Sequence, residues 1–256
     1  MGGMMANQKG EKEKPVSTLL SKEPWRIAGM FNAIAHRYDQ INHLLSMGLD
    51  RRWRRRSIQA LELSGGAYVV DVCTGTADLA VTASRHVPSP GLVLGVDFSD
   101  GMLSFGQEKL RSAGLGSVVR LARGDACSLP CRSDWANAVT VGFGLRNVAE
   151  TEQAVREMYR VLKPRGQLAI LEFGEPRLPV LRTMYLWYFR RVLPWIGHRL
   201  SKHSEAYAYL PASVSAFLGQ KALVELLEVC GFTDVRLVRL TFGVVCLYVA
   251  RKPSKG

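Results

Sequence analysis

The chain has 256 residues, of which 47% are hydrophobic and 22% are charged, so it can bury a sizeable core and is not disordered along its whole length. Its 34 Lys and Arg residues outnumber its 22 Asp and Glu residues, and the net charge of +12 indicates an anionic partner such as a nucleic acid, a membrane surface or an acidic substrate. No apolar run approaches the roughly 20 residues needed to cross a bilayer, no signal peptide is recognisable, and five scattered cysteines are typical of reduced thiols in the cytoplasm rather than of a disulfide framework or a metal site.

The chain begins with a polar segment, and residues 1–24 are predicted to be a flexible tail. Residues 25–256 are predicted to form a single domain that opens with a helical cap over residues 25–66. Apolar side chains at helical spacing support this cap. They are Phe31, Ile34, Ala35 and Tyr38 in a first segment and Trp53, Ile58 and Leu61 in a second.

From Tyr68 onwards, short apolar runs alternate with amphipathic segments. The predicted strands cover residues 68–73, 91–96, 118–122, 136–141 and 167–173, and the predicted helices between them cover residues 78–86, 100–112 and 150–162. Strands that alternate with helices in this way form a parallel sheet with helices on its faces.

Residues 174–212 interrupt this alternation and are predicted to be a helical insertion. A last helix at 220–229 and two strands at 234–240 and 244–250 close the domain, and this terminal strand pair suggests a mixed sheet edge. The predicted fold class is α/β: a doubly wound, mostly parallel, seven-stranded Rossmann-like sheet with N-terminal helices and a helical insertion before the last helix.

Acidic residues and glycines follow the ends of the predicted strands, where doubly wound folds bind their ligands. Asp71 and Gly75 lie in the turn after the first strand, and glycine lets a ligand approach the backbone closely. Asp97 ends the second strand, where a carboxylate can accept hydrogen bonds from both hydroxyls of a ribose. Asp125 follows the third strand and can meet an adenine amino group, and Gly142 follows the fourth. Asp71 is also interpretable as a plain turn or helix-cap residue.

These features favour S-adenosylmethionine (SAM) over NAD as the ligand. Both ligands suit an acid at the end of the second strand. SAM lacks a pyrophosphate and does not need the G-x-G-x-x-G set of glycines, which this turn does not have. Asp125, the acid after the third strand, also favours SAM over NAD.

At these residues the chain resembles the ubiquinone/menaquinone biosynthesis C-methyltransferase family, over roughly residues 27–250. The resemblance is based on Phe31-Asn-Ala-Ile-Ala-His-Arg-Tyr-Asp39, Phe143-Gly-Leu-Arg-Asn-Val148, Met158-Tyr-Arg-Val-Leu-Lys-Pro164 and Leu171-Glu-Phe173. The chain departs from the family pattern at Asp50, where the family usually has His, and this departure concerns the mouth of the substrate site.

The resemblance implies a SAM-dependent enzyme that methylates a ring carbon of a reduced prenylated quinone. Asp97-Phe-Ser99 and Phe217-Leu-Gly219 resemble the naphthoquinone branch of the family slightly more than the ubiquinone branch. The resemblance therefore favours the conversion of demethylmenaquinol to menaquinol, with a ubiquinone-pathway benzoquinol as the alternative substrate. By the same resemblance, the cofactor contacts fall on Asp71, Gly75, Thr76, Asp97, Asp125, Ala126 and Gly142.

The resemblance also implies the residues around the reacting ring. Arg146 and Asn147 are expected beside the ring, and Tyr38 and Asp39 are expected to close over it. Arg146 would lower the pKa of the quinol hydroxyl, since a guanidinium is not a ready base. Asp39 is a candidate proton acceptor, with a water molecule, His36 or His43 as alternatives. A purely structural interpretation pairs Arg146 with an acid such as Glu150.

The charge of the chain is unevenly distributed. Residues 67–173 are neutral, with 11 basic and 11 acidic groups, whereas residues 25–66 carry +4 and residues 174–204 carry +5. These two basic blocks flank the expected substrate mouth, so the charge favours an anionic membrane surface over a nucleic acid. We therefore expect a prenylated quinol as substrate, peripheral contact with the inner face of the membrane and no nucleic-acid partner; a homodimer stays open. The apolar segment 178–197 is interpretable either as a core helix or as a lid that touches lipid.

Three other functions are alternatives to this one. A nucleic-acid amino-methyltransferase would more often have N/D-P-P-Y after the fourth strand, where this chain has Gly142-Phe-Gly-Leu-Arg-Asn147. A small-molecule O- or N-methyltransferase is the second rival. A non-catalytic scaffold is the third, and the complete set of acids at the strand ends argues against it.

Overall fold

The computed structural model describes residues 22–187, 191 and 204–254. Most of the predicted tail lies outside the described residues. The predicted cap consists of two helices, α1 (Pro24–Leu45) and α2 (Leu49–Gln59). Pro24 occupies the first turn of α1, where its missing N–H leaves no helical hydrogen bond unmade. The chain turns between the helices at Gly48, whose φ of 73° lies in the left-handed region.

Strands and helices alternate through the central part of the chain, as predicted. The elements in chain order are β1 (Tyr68–Val72), α3 (Asp78–His86), β2 (Leu92–Asp97), α4 (Asp100–Ser112), β3 (Val119–Arg123), β4 (Ala136–Gly142), α5 (Thr151–Val161), β5 (Leu162–Phe173), α6 (Pro179–Trp187), α7 (Ser204–Ala216), α8 (Gln220–Val229), β6 (Thr233–Leu240) and β7 (Val245–Arg251). A short 3₁₀ turn, Leu145–Asn147, follows β4.

The described strands form one seven-stranded sheet in the order β3-β2-β1-β4-β5-β7-β6. The first five strands are parallel, and β7 is antiparallel to both β5 and β6. The strand order reverses between β1 and β4, so the crevice beyond their carboxyl ends is the place where this fold binds ligands. The predicted doubly wound, mostly parallel sheet with a mixed edge is confirmed.

The fifth strand differs from its prediction, because it begins at Leu162 rather than at residue 167. Lys163-Pro-Arg-Gly166 has the composition of a helix stop, and it does follow α5. However, Leu162 also pairs with Ala136 of β4, across a register shift in that ladder. A local stop signal does not show whether the next residues already belong to a strand.

Two apolar layers cover the two faces of the sheet. On one face, α5 packs through Ala154, Val155, Met158 and Val161, which are all fully buried. On the other face, α3 and α4 pack through residues such as Leu79 and Leu110. Full burial of side chains of this size contributes about 1.5–3 kcal/mol each.

The helical insertion packs over the carboxyl end of the sheet. Tyr185 of α6 is buried against Leu45, Phe173, Leu210, Val214 and Val244. Tyr188 and Val192, which were predicted to share its helical face, lie outside the described residues. Among the described helices, none combines the length and apolarity that a bilayer crossing requires.

Candidate active site

Two adjoining cavities open beyond the carboxyl ends of the parallel strands. The strand-end cavity, of about 260 Å³, is lined by the loops after β1 to β4. The cap cavity, of about 450 Å³, lies between those loops, the cap helices α1 and α2, and the insertion. Both cavities are lined by the same six residues where they meet: Phe31, Tyr38, Cys73, Gly75, Gly142 and Phe143. The two cavities therefore adjoin at these residues.

The turn after β1 is held by a buried carboxylate. Asp71 accepts hydrogen bonds from the hydroxyls of Thr74, at 2.5 Å, and Thr140, at 2.7 Å. Burial raises its pKa to about 6, while the two hydroxyls oppose the shift. The side chain lies at the wall of the cap cavity. Gly75 follows with a φ of 56°, which explains the glycine.

Asp97, the last residue of β2, is hydrogen-bonded to the turn that follows β1. One of its carboxylate oxygens accepts from the backbone N–H of Gly75 at 2.7 Å, and the other accepts from that of Ser99 at 2.9 Å. Burial raises its pKa, and these backbone donors partly offset that rise. Asp97 lines the strand-end cavity.

The loop after β3 places Asp125 and Ala126 on the wall of the strand-end cavity as well. Asp125 accepts from the backbone N–H of Cys127 at 2.8 Å, which orients its carboxylate. Gly142 lines both cavities. Thr76 is placed differently: it lines the cap cavity, and its hydroxyl donates to Asp39.

Arg146 is buried in the 3₁₀ turn after β4, with only 4% of its surface exposed, and it lines the cap cavity. Its ion-pair partner is Glu172, at 3.1 Å, and not Glu150. Glu172 is the penultimate residue of β5, which neighbours β4, so sheet topology brings Glu172 and Arg146 together. Sequence reasoning missed Glu172 as a site residue, although an acid inside the apolar end of a strand was a usable signal.

Tyr38 and Asn147 both line the strand-end cavity. Tyr38 lines both cavities; burial raises the pKa of its phenol, and the positive charge of Arg146 opposes that rise. Asn147 lines the strand-end cavity, and its carboxamide oxygen accepts from the Tyr209 hydroxyl at 3.1 Å. Tyr209 belongs to α7 and lines the cap cavity, so the insertion contributes directly to the site.

Asp39 is placed apart from these residues. Its carboxylate forms an ion pair with Lys109 of α4 at 2.6 Å and accepts the hydroxyl of Thr76. Lys109 also pairs with Asp78 of α3 at 2.6 Å. Asp39 is not among the lining residues of either cavity.

The two histidines considered as proton acceptors also lie off the cavity walls. His36 is exposed. His43 lies 2.7 Å from Asp50 and 3.9 Å from Asp78, a grouping whose ligand atoms are close enough to hold a metal ion. Arg54 pairs with both carboxylates, however, so a cation already occupies the position that a metal would need.

The strand-end cavity fits SAM. Its walls present the carboxylates of Asp97 and Asp125 together with the glycine backbones of Gly75, Gly124 and Gly142. Carboxylates suit the ribose hydroxyls, the adenine amino group and the sulfonium charge of SAM. A Cβ atom added at Gly124 would lie 2.9 Å from a side-chain carbon of Val96, so glycine lets the loop after β3 pack closely against β2.

Comparison with known proteins agrees with this geometry. The model of the ubiE/COQ5 methyltransferase family matches residues 19–252. A demethylmenaquinone methyltransferase of Bacteroides fragilis is 40% identical over 96% of this chain and 100% of its own length. A ubiquinone/menaquinone biosynthesis C-methyltransferase UbiE of Geobacter sulfurreducens is 40% identical over 92% of each chain.

Solved structures support the fold. A SAM-dependent methyltransferase of Thermotoga maritima matches with a TM-score of 0.62 and 18% identity, over 90% of this chain and 100% of its own. One from Aquifex aeolicus matches with a TM-score of 0.59 and 19% identity, over 83% of this chain and 96% of its own. The matched family model and the two relatives show that the chain belongs to the ubiE/COQ5 methyltransferase family, whose methyl donor is SAM.

Proposed function

We propose that the chain methylates a ring carbon of a reduced prenylated quinone, and that its substrate is demethylmenaquinol. The relatives' names support a quinone substrate. The cap cavity supports it physically, because its walls are largely apolar and aromatic, with the Phe143 ring in contact with both Trp53 and Phe173. A ring with an apolar tail fits such walls.

The observation that carries this proposal is the placement of Arg146 at the cap cavity. A quinol carbon becomes nucleophilic when a neighbouring hydroxyl loses its proton, and a phenol with a pKa of about 10 needs roughly 4 kcal/mol to ionise at pH 7. The Arg146 guanidinium can stabilise the phenolate. Among the described residues its buried Nε has no hydrogen-bond partner, so donor capacity remains for the substrate oxygen.

The proposed methyl transfer conserves atoms and charge. SAM supplies the methyl group when it is bound in the strand-end cavity. The electron pair of the quinol carbon forms the new C–C bond as the S–C bond breaks, and the ring carbon then loses its proton as aromaticity returns. The phenolate takes up a proton, so the net products are methylquinol, S-adenosylhomocysteine and one proton.

Water is the proton acceptor that we propose for the quinol hydroxyl. Asp39 is ion-paired with Lys109 and does not line the cap cavity, which favours a role in holding α1 in place. Arg146 and Tyr38 line the cap cavity, whereas Asn147 lines the strand-end cavity and reaches the cap cavity through its hydrogen bond from Tyr209. The roles of these three stay part of the proposal.

A direct assay tests the reaction and its substrate. Purified enzyme is incubated with SAM and either a short-tailed demethylmenaquinol or the matching demethylated benzoquinol, and products are identified by mass spectrometry. We expect C-methylation of the naphthoquinol. Methylation of the benzoquinol alone would move the enzyme to the ubiquinone pathway, and no product from either would overturn the proposal.

The variant Arg146→Lys tests the assigned role, because it keeps the positive charge beside Glu172 and loses the guanidinium fork. We expect kcat to fall by about 10²-fold or more, while calorimetry shows a SAM Kd within about threefold of wild type. A loss of SAM affinity that parallels the loss of turnover would show that Arg146 serves the cofactor.

Peripheral contact with an anionic membrane is also part of the proposal. Val180, Met184 and Trp187 of α6 follow helical spacing and are 73%, 62% and 62% exposed, and they form an apolar stripe. Met184 also lines the cap cavity, which places this stripe at its mouth. Exposed arginines on the neighbouring elements complement anionic headgroups: Arg51, Arg52, Arg55, Arg56, Arg177 and Arg182.

Vesicle flotation tests the membrane contact. We expect the protein to float with vesicles that contain anionic lipid, to stay behind with purely zwitterionic vesicles, and to be released by high salt, because Lys and Arg each contribute about 1 kcal/mol near an anionic surface. Equal recovery from both kinds of vesicle would exclude an electrostatic contribution, and no flotation at all would overturn the contact.

A further inference from the structure

We infer that Glu172 is a positioning residue for the methyl transfer: it fixes the guanidinium of Arg146 and offsets its charge, so that a cationic donor and a cationic side chain can share one site. The part that concerns the quinol rests on the proposed function, since Arg146 is the group assigned to the substrate oxygen. The part that concerns the donor rests on the fold and on the family.

Glu172 is built into the end of the sheet. Its backbone pairs with Cys246 of β7, and only 1% of its surface is exposed. The carboxylate accepts from the backbone N–H of Arg146 at 3.2 Å, from its Nη1 at 3.1 Å, and from the backbone N–H of Phe173 at 3.3 Å. These three donors, from Arg146 and Phe173, fix the position of the Glu172 side chain.

The guanidinium is held on more than one side. Its Nη1 also donates to the carbonyl of Phe143, and its central carbon lies 5.2 Å from the centre of the Phe173 ring. Nη1 is therefore committed to protein partners, whereas the buried Nε has no partner among the described residues. An arginine on a long side chain would otherwise sample several rotamers, and this pairing removes that freedom.

The charges of the pair reach the phenols and thiols around the cavities. Arg146 lowers the pKa of Tyr209 and Glu172 raises it, although burial is the largest influence and also raises it. Glu172 likewise adds to the rise in the pKa of Cys73, which is due first to burial. Cys73 lies at the junction of the two cavities, so the charge of Glu172 acts at this junction.

A buried guanidinium without a counter-ion would repel a sulfonium in the adjoining cavity. With Glu172 at 3.1 Å the pair is close to neutral, and its field on the sulfonium is that of a dipole rather than of a full charge. S-adenosylhomocysteine has nearly the same shape as SAM but no charge on its sulfur. The ratio of the two dissociation constants, Kd(SAM)/Kd(S-adenosylhomocysteine), therefore measures this field without any turnover.

Calorimetry with both ligands tests the inference on the full-length protein. In Glu172→Gln we expect the ratio to rise by about tenfold, because one uncompensated charge interaction in a buried site has that size. The reciprocal variant, Arg146→Gln, leaves Glu172 unopposed and lowers the ratio by a similar factor. The double variant Arg146→Gln/Glu172→Gln returns it towards wild type. Ratios within about twofold of wild type in both single variants would overturn the inference.

Glu157→Gln is the matched control. Glu157 also pairs with an arginine, Arg160, and also accepts from a backbone N–H, that of Leu129, but it lines neither cavity. We expect its ratio to stay at the wild-type value. A rise in the control equal to that in Glu172→Gln would mean that any lost carboxylate produces the effect, and would overturn the inference.

Glu172→Asp separates orientation from charge. This variant keeps the carboxylate but shortens its side chain, so we expect an unchanged ligand ratio and a lower kcat, as Arg146 shifts from the substrate oxygen. An unchanged kcat would overturn the orienting role. Because the ratio is measured without quinol, a chain that shows the expected ratios but methylates no quinol would overturn the proposed function alone.

Discussion

The acids at the carboxyl ends of β1 and β2 have different surroundings. Asp97 accepts from two backbone N–H groups and lines the strand-end cavity. Asp71 is buried, and its side-chain partners among the described residues are two hydroxyls. Backbone amides hold a carboxylate in its charged form and at a fixed angle, which is what a ligand-binding acid needs. The hydroxyls around Asp71 instead stabilise the turn that follows β1.

The substitution Asp97→Ala tests the ligand-binding role. We expect the Kd for SAM to rise by at least about tenfold, because hydrogen bonds to a charged group contribute about 1.5–3 kcal/mol each. Isothermal titration calorimetry measures the change. Asp100→Ala is the control: Asp100 is an exposed acid that pairs with Arg123 and lines neither cavity. An unchanged Kd in Asp97→Ala would contradict the assignment.

The raised pKa of Asp71 predicts that the free energy of unfolding depends on pH. Its pKa of about 6 in the folded protein lies above the usual value of about 3.8, so the folded state holds the proton more tightly than the unfolded state does. The group therefore disfavours folding increasingly as the pH rises from about 4 to about 6, and the cost levels off above that range at roughly 3 kcal/mol or less.

The variant Asp71→Asn removes this titration and keeps a similar shape. We expect the free energy of unfolding of the variant relative to wild type to rise between pH 4 and pH 6.5 and then to stay level. Urea denaturation at a series of pH values measures the difference. A difference that does not change with pH would show that Asp71 does not titrate in this range.

At the scale of elements, the loop after β4 passes very close to the turn after β1. A Cβ atom added at Gly144 would lie 2.3 Å from the Cβ atom of Cys73. Gly144→Ala therefore forces the two loops apart, and we expect it to destabilise the fold by about 1–3 kcal/mol and to weaken SAM binding. Gly116→Ala, at a glycine with no atom within 4 Å, should change neither property. Equal urea midpoints for the two variants would contradict this packing.

The ion pair between Asp39 and Lys109 fastens helix α1 to α4. Next to it, Asn32 of α1 accepts from the hydroxyl of Ser99 and from the backbone N–H of Gly101. If Asp39 serves only to hold α1, then Asp39→Asn and Lys109→Met both remove this ion pair, Lys109→Met also removes the pair with Asp78, and each variant reduces kcat/KM by a small factor. Steady-state kinetics of both variants measures this. A loss about 10²-fold larger in Asp39→Asn than in Lys109→Met would restore Asp39 as the proton acceptor.

The elements were predictable where periodicity and caps agree, and the contacts between them were not. Helices α3 and α4 begin and end at the predicted residues, because strand ends and turn residues flank them. The partners of Asp39 and Arg146 could not be predicted, since Lys109 and Glu172 are distant along the chain and are brought near by the sheet and its helices. The strand-end acids were found because parallel topology alone places them at one edge.

At the scale of the whole molecule, the charge follows the architecture. The neutral segment 67–173 forms most of the sheet and the strand-end cavity, while the basic blocks 25–66 and 174–204 include the elements around the cap cavity. A long-tailed quinol is held in the bilayer, and its ring must reach the cavity junction. If the mouth of the cap cavity lies against the membrane, the ring can enter the cavity without crossing water, and the enzyme binds a membrane-held substrate more readily.

This arrangement predicts different responses to soluble and membrane-held substrates. The variant Val180→Ser/Trp187→Ser removes two exposed side chains of the α6 stripe that do not line either cavity. We expect kcat/KM to fall by about tenfold with a long-tailed demethylmenaquinol in anionic vesicles, since each lost side chain removes about 1.5–3 kcal/mol of apolar burial at most. A short-tailed substrate in solution should be methylated within about twofold of the wild-type rate. Val229→Ser, at an exposed apolar residue that also lines neither cavity, should leave both rates unchanged. Equal losses on the two substrates would instead place the stripe in substrate binding rather than in membrane contact.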